Sequence, residues 1–505
     1  MSQNQANNQP NAHSHEPKLG PPDCIIKIND YVWEIPTSFR EGMLVPARIY
    51  ASKLLLDSMD AGVFNQVANV ASLPGIQKTA FCMPDGHWGY GFPIGGVAAF
   101  DPKEGGIISP GGIGFDINCG MRLITTNLTI DEVKPKIKEL VDKLYKAVPA
   151  GVGCKGTIRL TKEQFNDICK KGAEWCVENG FATKEDVECI EEHGCIKGAD
   201  PSKVSEMAVK RGFDQLGTLG SGNHYLEIQE VKAGNIFDEE IAKVMGITGP
   251  GQIVIMIHCG SRGFGHQIGT DYLKTFLEVM PKYNIKILDR ELACAPFNSP
   301  EGQDYYKSMA CAANMAFANR QVIMHRVREV FSEVFHKTSE EMDIKLVYDV
   351  AHNIAKLEKH KVNGKMKELL VHRKGATRAF GPGRHADLPK RYAKVGQPVI
   401  IGGSMETGSY LLVGTDHADN ETFASTAHGA GRIMSREAAK RQFRGDQLQK
   451  ELEKKGIYIH GSTMAGLAEE AGGAYKDIDL VVETLEHSGI TKRVVLLRPV
   501  GNVKG

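Results

Sequence analysis

The 505-residue sequence has no excess charge of either sign: 61 Lys and Arg balance 61 Asp and Glu. No global field draws such a chain to nucleic acid or to a membrane, so any polyanion must be held by a local patch. Long apolar runs are also missing. No stretch approaches the roughly 20 residues that a membrane helix needs, and a soluble protein is expected. The eleven cysteines include no C-x-x-C pair. An odd, scattered set argues against a disulfide scaffold and for a reducing compartment, cytoplasmic or nuclear. The first twenty residues are rich in Asn, Gln, His and Pro and carry no apolar signal core. That excludes a secretory signal and predicts a disordered polar tail over 1–22. No repeat with a period of 20 to 50 residues, no heptads and no clear linker interrupt the remainder, so 23–505 reads as one compact α/β unit.

Within that unit, alternation over 25–34 predicts a strand or hairpin, and 50–70 reads as helical. Residues 73–101 are dense in glycine, with Asp85 and His87 as candidate ligands or turn formers. Apolar residues at helical spacing over 131–148, with Pro135 tolerable in a first turn, predict a helix. Thr161 to Gln164 forms a capping box for another. A helical insertion near 130–215 follows. It carries Cys169, Cys176, Cys189, His193 and Cys195, whose spacings match no zinc finger or ribbon. Further on, apolar runs end in polar residues: 252–257 at His258, 344–350 at His352 and Asn353, and 397–401 at Gly402, Gly403 and Ser404. Sheet-based enzymes assemble sites from such strand ends.

The stretch from Ser109 to Gly120 holds a carboxylate and a thiol, Asp116 and Cys119, three residues apart among glycines. A thiolate can bridge two divalent ions, and a carboxylate favours hard ones such as Mn²⁺. A lone D-x-x-C is more often a buried thiol beside a turn-forming Asp. Four histidines in glycine or small-residue settings shift that balance: His224, His258, His352 and His428.

The ordered blocks FDINCG, GSGNH, IHCGSRG, DVAHN and HGAGR, from about Leu73 to the final Lys504-Gly505, resemble the RtcB family of GTP-dependent RNA ligases. That resemblance implies an RtcB-like fold with central mixed β-sheets. It implies two Mn²⁺ ions sharing Cys119, with Asp116 and His224 completing one site and His258 and His352 the other. His428 would be the nucleophile that carries GMP. The GTP pocket would comprise Asn223, His224, Tyr225, Leu226, Glu227, His352, Asn353, Gly402, Gly403, Ser404, Met405, Ser409, His428, Gly429, Ala430, Gly431, Tyr475 and Lys504, with Glu227 and Lys504 reading guanine.

For the RNA backbone, the most basic stretch runs from His372 to Arg391, and Lys374, Arg432 and Arg436 are the expected phosphate contacts. The implied reaction joins a 3′-phosphate or 2′,3′-cyclic phosphate end to a 5′-hydroxyl end, in tRNA splicing or RNA repair. Length and the Lys-Gly ending are more like the eukaryotic branch, which implies an archease-like activator and tRNA ligase complex subunits as partners. Two rivals remain at this stage. A dinuclear metal phosphoesterase would use the same donors without a covalent intermediate, and an RNA-binding scaffold would need no thiolate among imidazoles.

Overall fold

The computed structural model describes residues 18–505. Most of the expected tail, 1–17, lies outside them. Its inner end is not free: Ala61 N donates to Lys18 O at 2.8 Å and Gly20 N to Met59 O at 2.9 Å, so the ordered chain begins before residue 23.

Two sheets carry the architecture. The larger has the strand order Lys345–Ala351, Gly120–Thr129, Gln252–Cys259, Tyr225–Ile236, Thr491–Lys504, Ser409–Gly414, Pro398–Ile401. Neighbours along it are antiparallel, and Tyr458–Gly461 adds in parallel to Thr491–Lys504. All eight residues of Gln252–Cys259 are buried. This agrees with its unbroken apolar run, because a strand covered on both faces needs no polar alternation. Each of its isoleucines contributes about 1.5–3 kcal/mol on full burial.

The second sheet runs Ile26–Asn29, Val32–Ile35, Ala47–Tyr50, Ala80–His87, Ile94–Phe100, Lys365–Lys374, Asn353–Val362. The hairpin expected over 25–34 is its edge. The helix expected over 50–70 is split into Lys53–Ser58 and Ala61–Val70, because Asp60 caps the second by accepting from Gly62 N.

Residues 130 to 224 carry helices and no extended strand. The Thr161 capping box is present. Pro135 interrupts the helix expected over 131–148. Ile130–Val133 and Ile137–Ala147 are α-helical and Lys134–Lys136 forms a 3-10 turn, since proline cannot donate to the preceding turn. This layer packs on the 36-residue helix Pro300–Phe335, buried nearly all round from Ser308 to Met324. No helix among the described residues is long and apolar enough to cross a membrane.

At one of its crossings between the sheets the chain passes over within a single residue. Strand Lys345–Ala351 ends the large sheet, Asn353–Val362 begins in the second, and His352 lies between.

Candidate active site

Antiparallel register gathers the site at one end of the large sheet. Gly120 pairs with Cys259 and with Ala351, and Tyr225 pairs with His258. Cys119 and His224 therefore precede strands that start where the strands bearing His258 and Ala351 finish. Cys119 N donates to Asp116 O at 3.0 Å, closing the turn that sends both side chains the same way. Left-handed backbone at Gly114 (φ +91°) and Asn118 (φ +53°) makes this turn possible.

Cys119, His258 and His352 bring donor atoms within 4.8 Å of one another, and so do Asp116, Cys119 and His224. The thiol is shared, with Sγ 3.4 Å from His224 Nε2 and 3.1 Å from His258 Nε2. Each ring is oriented from behind. His224 Nδ1 lies 3.1 Å from Leu219 O, His258 Nδ1 2.9 Å from Asn223 O and His352 Nδ1 3.1 Å from Thr377 Oγ1. For His258 and His352 a proton on Nδ1 leaves the Nε2 lone pair turned to the donor cluster, the arrangement metal-binding imidazoles adopt, whereas His224 Nε2 lies 2.8 Å from Asp116 Oδ2. His352 Nε2 and Asp116 Oδ1 are buried with no hydrogen-bond partner. Buried polar atoms are seldom left so, and here both point to cation ligation.

Burial pushes the Cys119 thiol well above its usual pKa and holds His258 and His352 well below theirs. Cation binding must then displace the thiol proton, which couples affinity to pH. Burial would also raise Asp116, but the His224 ring and the Arg262 guanidinium outweigh it and bring the carboxyl to about 2. Arg262, with Nη1 3.1 Å from His224 Nδ1, was not singled out in the sequence. Its only signal there is a place in the block that follows an apolar strand.

His428 faces this cluster from a separate two-stranded sheet. Its ring centroid is 5.1 Å from that of His352. Strand Ser425–Ala427, paired with Ala376–Arg378, delivers it. Asp85, fully buried at the end of strand Ala80–His87, takes His428 Nδ1 at 2.6 Å and the backbone N–H groups of His428 and Gly429 at 3.1 and 3.3 Å. Asp85 is thus neither a metal donor nor a turn former. It fixes the imidazole with Nε2 as the nitrogen free to react.

A cavity of about 1060 Å³ contains Cys119, His258, His352 and His428 and extends to the C-terminus. Asn223, Tyr225, Glu227, Asn353, Gly402, Gly403, Ser404, Met405, Gly429, Ala430, Gly431, Tyr475 and Lys504 line it, as do Arg432 and Arg436. Leu226 does not, because strand alternation turns its side chain into the core. Ser409 lies just behind the lining, with Oγ 3.2 Å from Gln229 Nε2. Lys504 is held by strand pairing to Tyr225 on one side and Gly461 on the other, with Nζ 3.5 Å from Glu470 and 5.5 Å from the Tyr225 ring. Burial raises Glu227 to about 7, although Gln229 and Asn502 donate to it and Lys504 is near.

The basic stretch after residue 372 differs from its expected role. His372, Arg373, Lys374 and Arg378 are buried within paired strands. Arg373 is bonded to Glu358, and Lys374 Nζ donates to Tyr90 O and to Gly111 O. Burial lowers the Lys374 ammonium to about 7. This lysine secures the glycine loop and offers no exposed charge. Arg432 is braced by Glu470, Tyr475 and the Glu469 carbonyl, while the Arg436 side chain is half exposed at the cavity edge. Cys169, Cys176 and Cys189 are buried and Cys195 half-buried. Among the described residues the only donor groups of metal-binding size are the two that share Cys119.

Such a layout defines an α/β protein with a shared-thiol donor cluster that could hold metal, facing a carboxylate-held histidine. Comparison with known proteins agrees. The family model "tRNA-splicing ligase RtcB" matches residues 66–505. Proteins of that name from Methanococcus maripaludis, Thermococcus kodakarensis and Archaeoglobus fulgidus are 53%, 54% and 54% identical to the chain. Each alignment spans 95% of this chain and 98–99% of the relative. The chain belongs to the RtcB family.

Proposed function

We propose that this protein is a GTP- and Mn²⁺-dependent RNA ligase that joins 3′-phosphate or 2′,3′-cyclic phosphate ends to 5′-hydroxyl ends through a covalent His428–GMP intermediate. One observation carries this reading above all: a histidine with its Nδ1 held by a buried carboxylate, one ring away from the shared-thiol donor cluster. A hydrolase working through those donors alone has no need of it.

Asp116, Cys119 and His224 would hold one ion, and Cys119, His258 and His352 the other. Bound Mn²⁺ supplies charge neutralisation on the phosphates and orients in-line attack. The protein's own groups do the rest. Asp85 keeps the proton on Nδ1, so the His428 Nε2 lone pair attacks the α-phosphorus of GTP. The Nε2–P bond forms, the bond to the β-phosphate oxygen breaks and pyrophosphate leaves. The positive charge that develops on the ring faces the Asp85 carboxylate throughout. An RNA 3′-phosphate oxygen next takes the GMP, breaking the N–P bond and freeing His428. Finally the 5′-hydroxyl oxygen attacks the 3′-phosphorus: the new O–P bond forms, the bond to the bridging GMP oxygen breaks, the hydroxyl proton passes to solvent and GMP departs. A cyclic end is first opened by water. Glu227, Tyr475 and Lys504 line the part of the cavity assigned to guanine, and Arg432 and Arg436 the part nearest the RNA path.

The relatives are named for tRNA splicing, and exon halves of tRNA are the proposed substrate. An archease-like activator and partner subunits belong to the same reading. Incubation with α-labelled GTP and Mn²⁺ tests it: acid-labile, base-stable label should appear on the chain and be absent in His428→Ala. Phosphate-ester hydrolysis without any label would favour a dinuclear phosphoesterase.

A further inference from the structure

From the position of one tryptophan, and resting on the RNA-joining reading above, we infer that Trp88 is a stacking platform for the base of a nucleotide at one of the two RNA ends. The sequence holds three tryptophans. Trp33 and Trp175 are buried, whereas Trp88 is 61% exposed. Single exposed apolar residues are ordinary on protein surfaces. This one lines the catalytic cavity, whose lining also includes exposed Ile433 and the half-exposed Arg436. It is three residues from Asp85, so their Cα atoms are at most about 11 Å apart.

The indole is exposed but not loose. Its backbone belongs to the turn after strand Ala80–His87. The next residue, Gly89, is clamped by the buried Gln66 side chain, which accepts from Gly89 N at 3.1 Å and donates to Gly89 O at 2.5 Å. On the preceding side, His87 Nδ1 lies 3.0 Å from Asp85 O. One edge of the six-membered ring rests on Gly62, where any Cβ would overlap it. A rigid aromatic surface already fixed in place loses little entropy when a flat ligand covers it. Every base presents such a face, and stacking on aromatic side chains is how single-stranded ends are gripped without reading sequence. The guanine wall is assigned to Lys504 and Tyr475, which both bond to Glu470, and Trp88 takes no part in that bonded group, so the RNA ends are the ligand assigned to it.

The test uses full-length wild type, Trp88→Ala and Trp88→Phe, with folding checked by thermal unfolding. Oligoribonucleotides carry a 3′-phosphate or a 5′-hydroxyl end, each intact or with an abasic terminal nucleotide. Binding is read by anisotropy, and by quenching of the exposed tryptophan in the wild type. Trp88→Ala should weaken binding of one end type about 5- to 150-fold, with Trp88→Phe retaining most of the affinity. The abasic form of that same end should bind wild type and Trp88→Ala equally, which identifies the end. The slope of log Kd against log salt should stay constant, since no phosphate contact is lost. Wild-type affinity in Trp88→Ala, or a loss that neither abasic substrate removes, overturns the inference. Failure of the wild type to take label from GTP would instead overturn the ligase reading, and the binding comparison would still decide the role of Trp88.

Discussion

Asp85 holds three N–H groups of residues 428 and 429 on one carboxylate oxygen. Asp85→Asn keeps the volume but can present an N–H where an acceptor is needed, releasing the His428 tautomer. Self-labelling by GTP should slow by about 10²–10⁴-fold, with metal content by elemental analysis unchanged. Glu227 gives a second prediction. Its carboxyl rises from an ordinary 4.5 to about 7 on folding, so between those values the folded chain keeps a proton that the unfolded chain releases. Its contribution is full below pH 4.5 and is lost as pH rises through 7. Wild type should lose up to roughly 3 kcal/mol relative to Glu227→Gln across that window, seen in denaturant unfolding of the nucleotide-free proteins. The clustering of Asp116, Cys119, His224, His258 and His352 was legible only through the ordered family blocks, because a D-x-x-C or a single His taken alone reads as structural. The pairing of Asp85 with His428 was not, since 343 residues separate them and a buried Asp before Gly looks like a turn. Leu226 shows the opposite error: a continuous run was taken from the family pattern where strand alternation admits only residues 225 and 227.

At the scale of elements, the helix Pro300–Phe335 supports the site from beneath. Arg320 donates to Asn118 O and Cys259 O at 2.8 Å each and to both oxygens of Asp349, which also takes Arg122. All three charged side chains are fully buried. Removing one member leaves the others uncompensated, so Arg320→Met should cost about 3–5 kcal/mol in denaturant unfolding. Metal affinity should fall as well, because Asn118 and Cys259 adjoin the donor turn and strand. Apolar strands such as Gln252–Cys259 were readable from their unbroken runs. Their order in the sheet was not, because it rests on pairings between distant segments such as Gly120 with Ala351. The basic stretch from His372 misled for a related reason: composition cannot distinguish a solvated patch from buried ion pairs when partners such as Glu358 lie on another strand.

For the whole molecule, both sheets and two apolar clusters that each draw on both sheets contribute to one cavity. A ligand that binds only the folded form stabilises it by mass action, about 4 kcal/mol at a thousandfold excess over Kd. Chelation should therefore lower Tm by several degrees, and added Mn²⁺ should restore it in wild type but not in Cys119→Ala. The neutral overall charge leaves RNA to a local cationic group, and Arg432, Arg436 and Arg441 all line the cavity.

His352 is both an expected ligand and the shortest link at which the backbone crosses between the two large sheets. A cation gripping it together with Cys119 would rivet the two halves of the protein. Stripping that cation should loosen the seam first, and amide exchange along residues 353–362 and 365–374 should quicken before the distal strands respond.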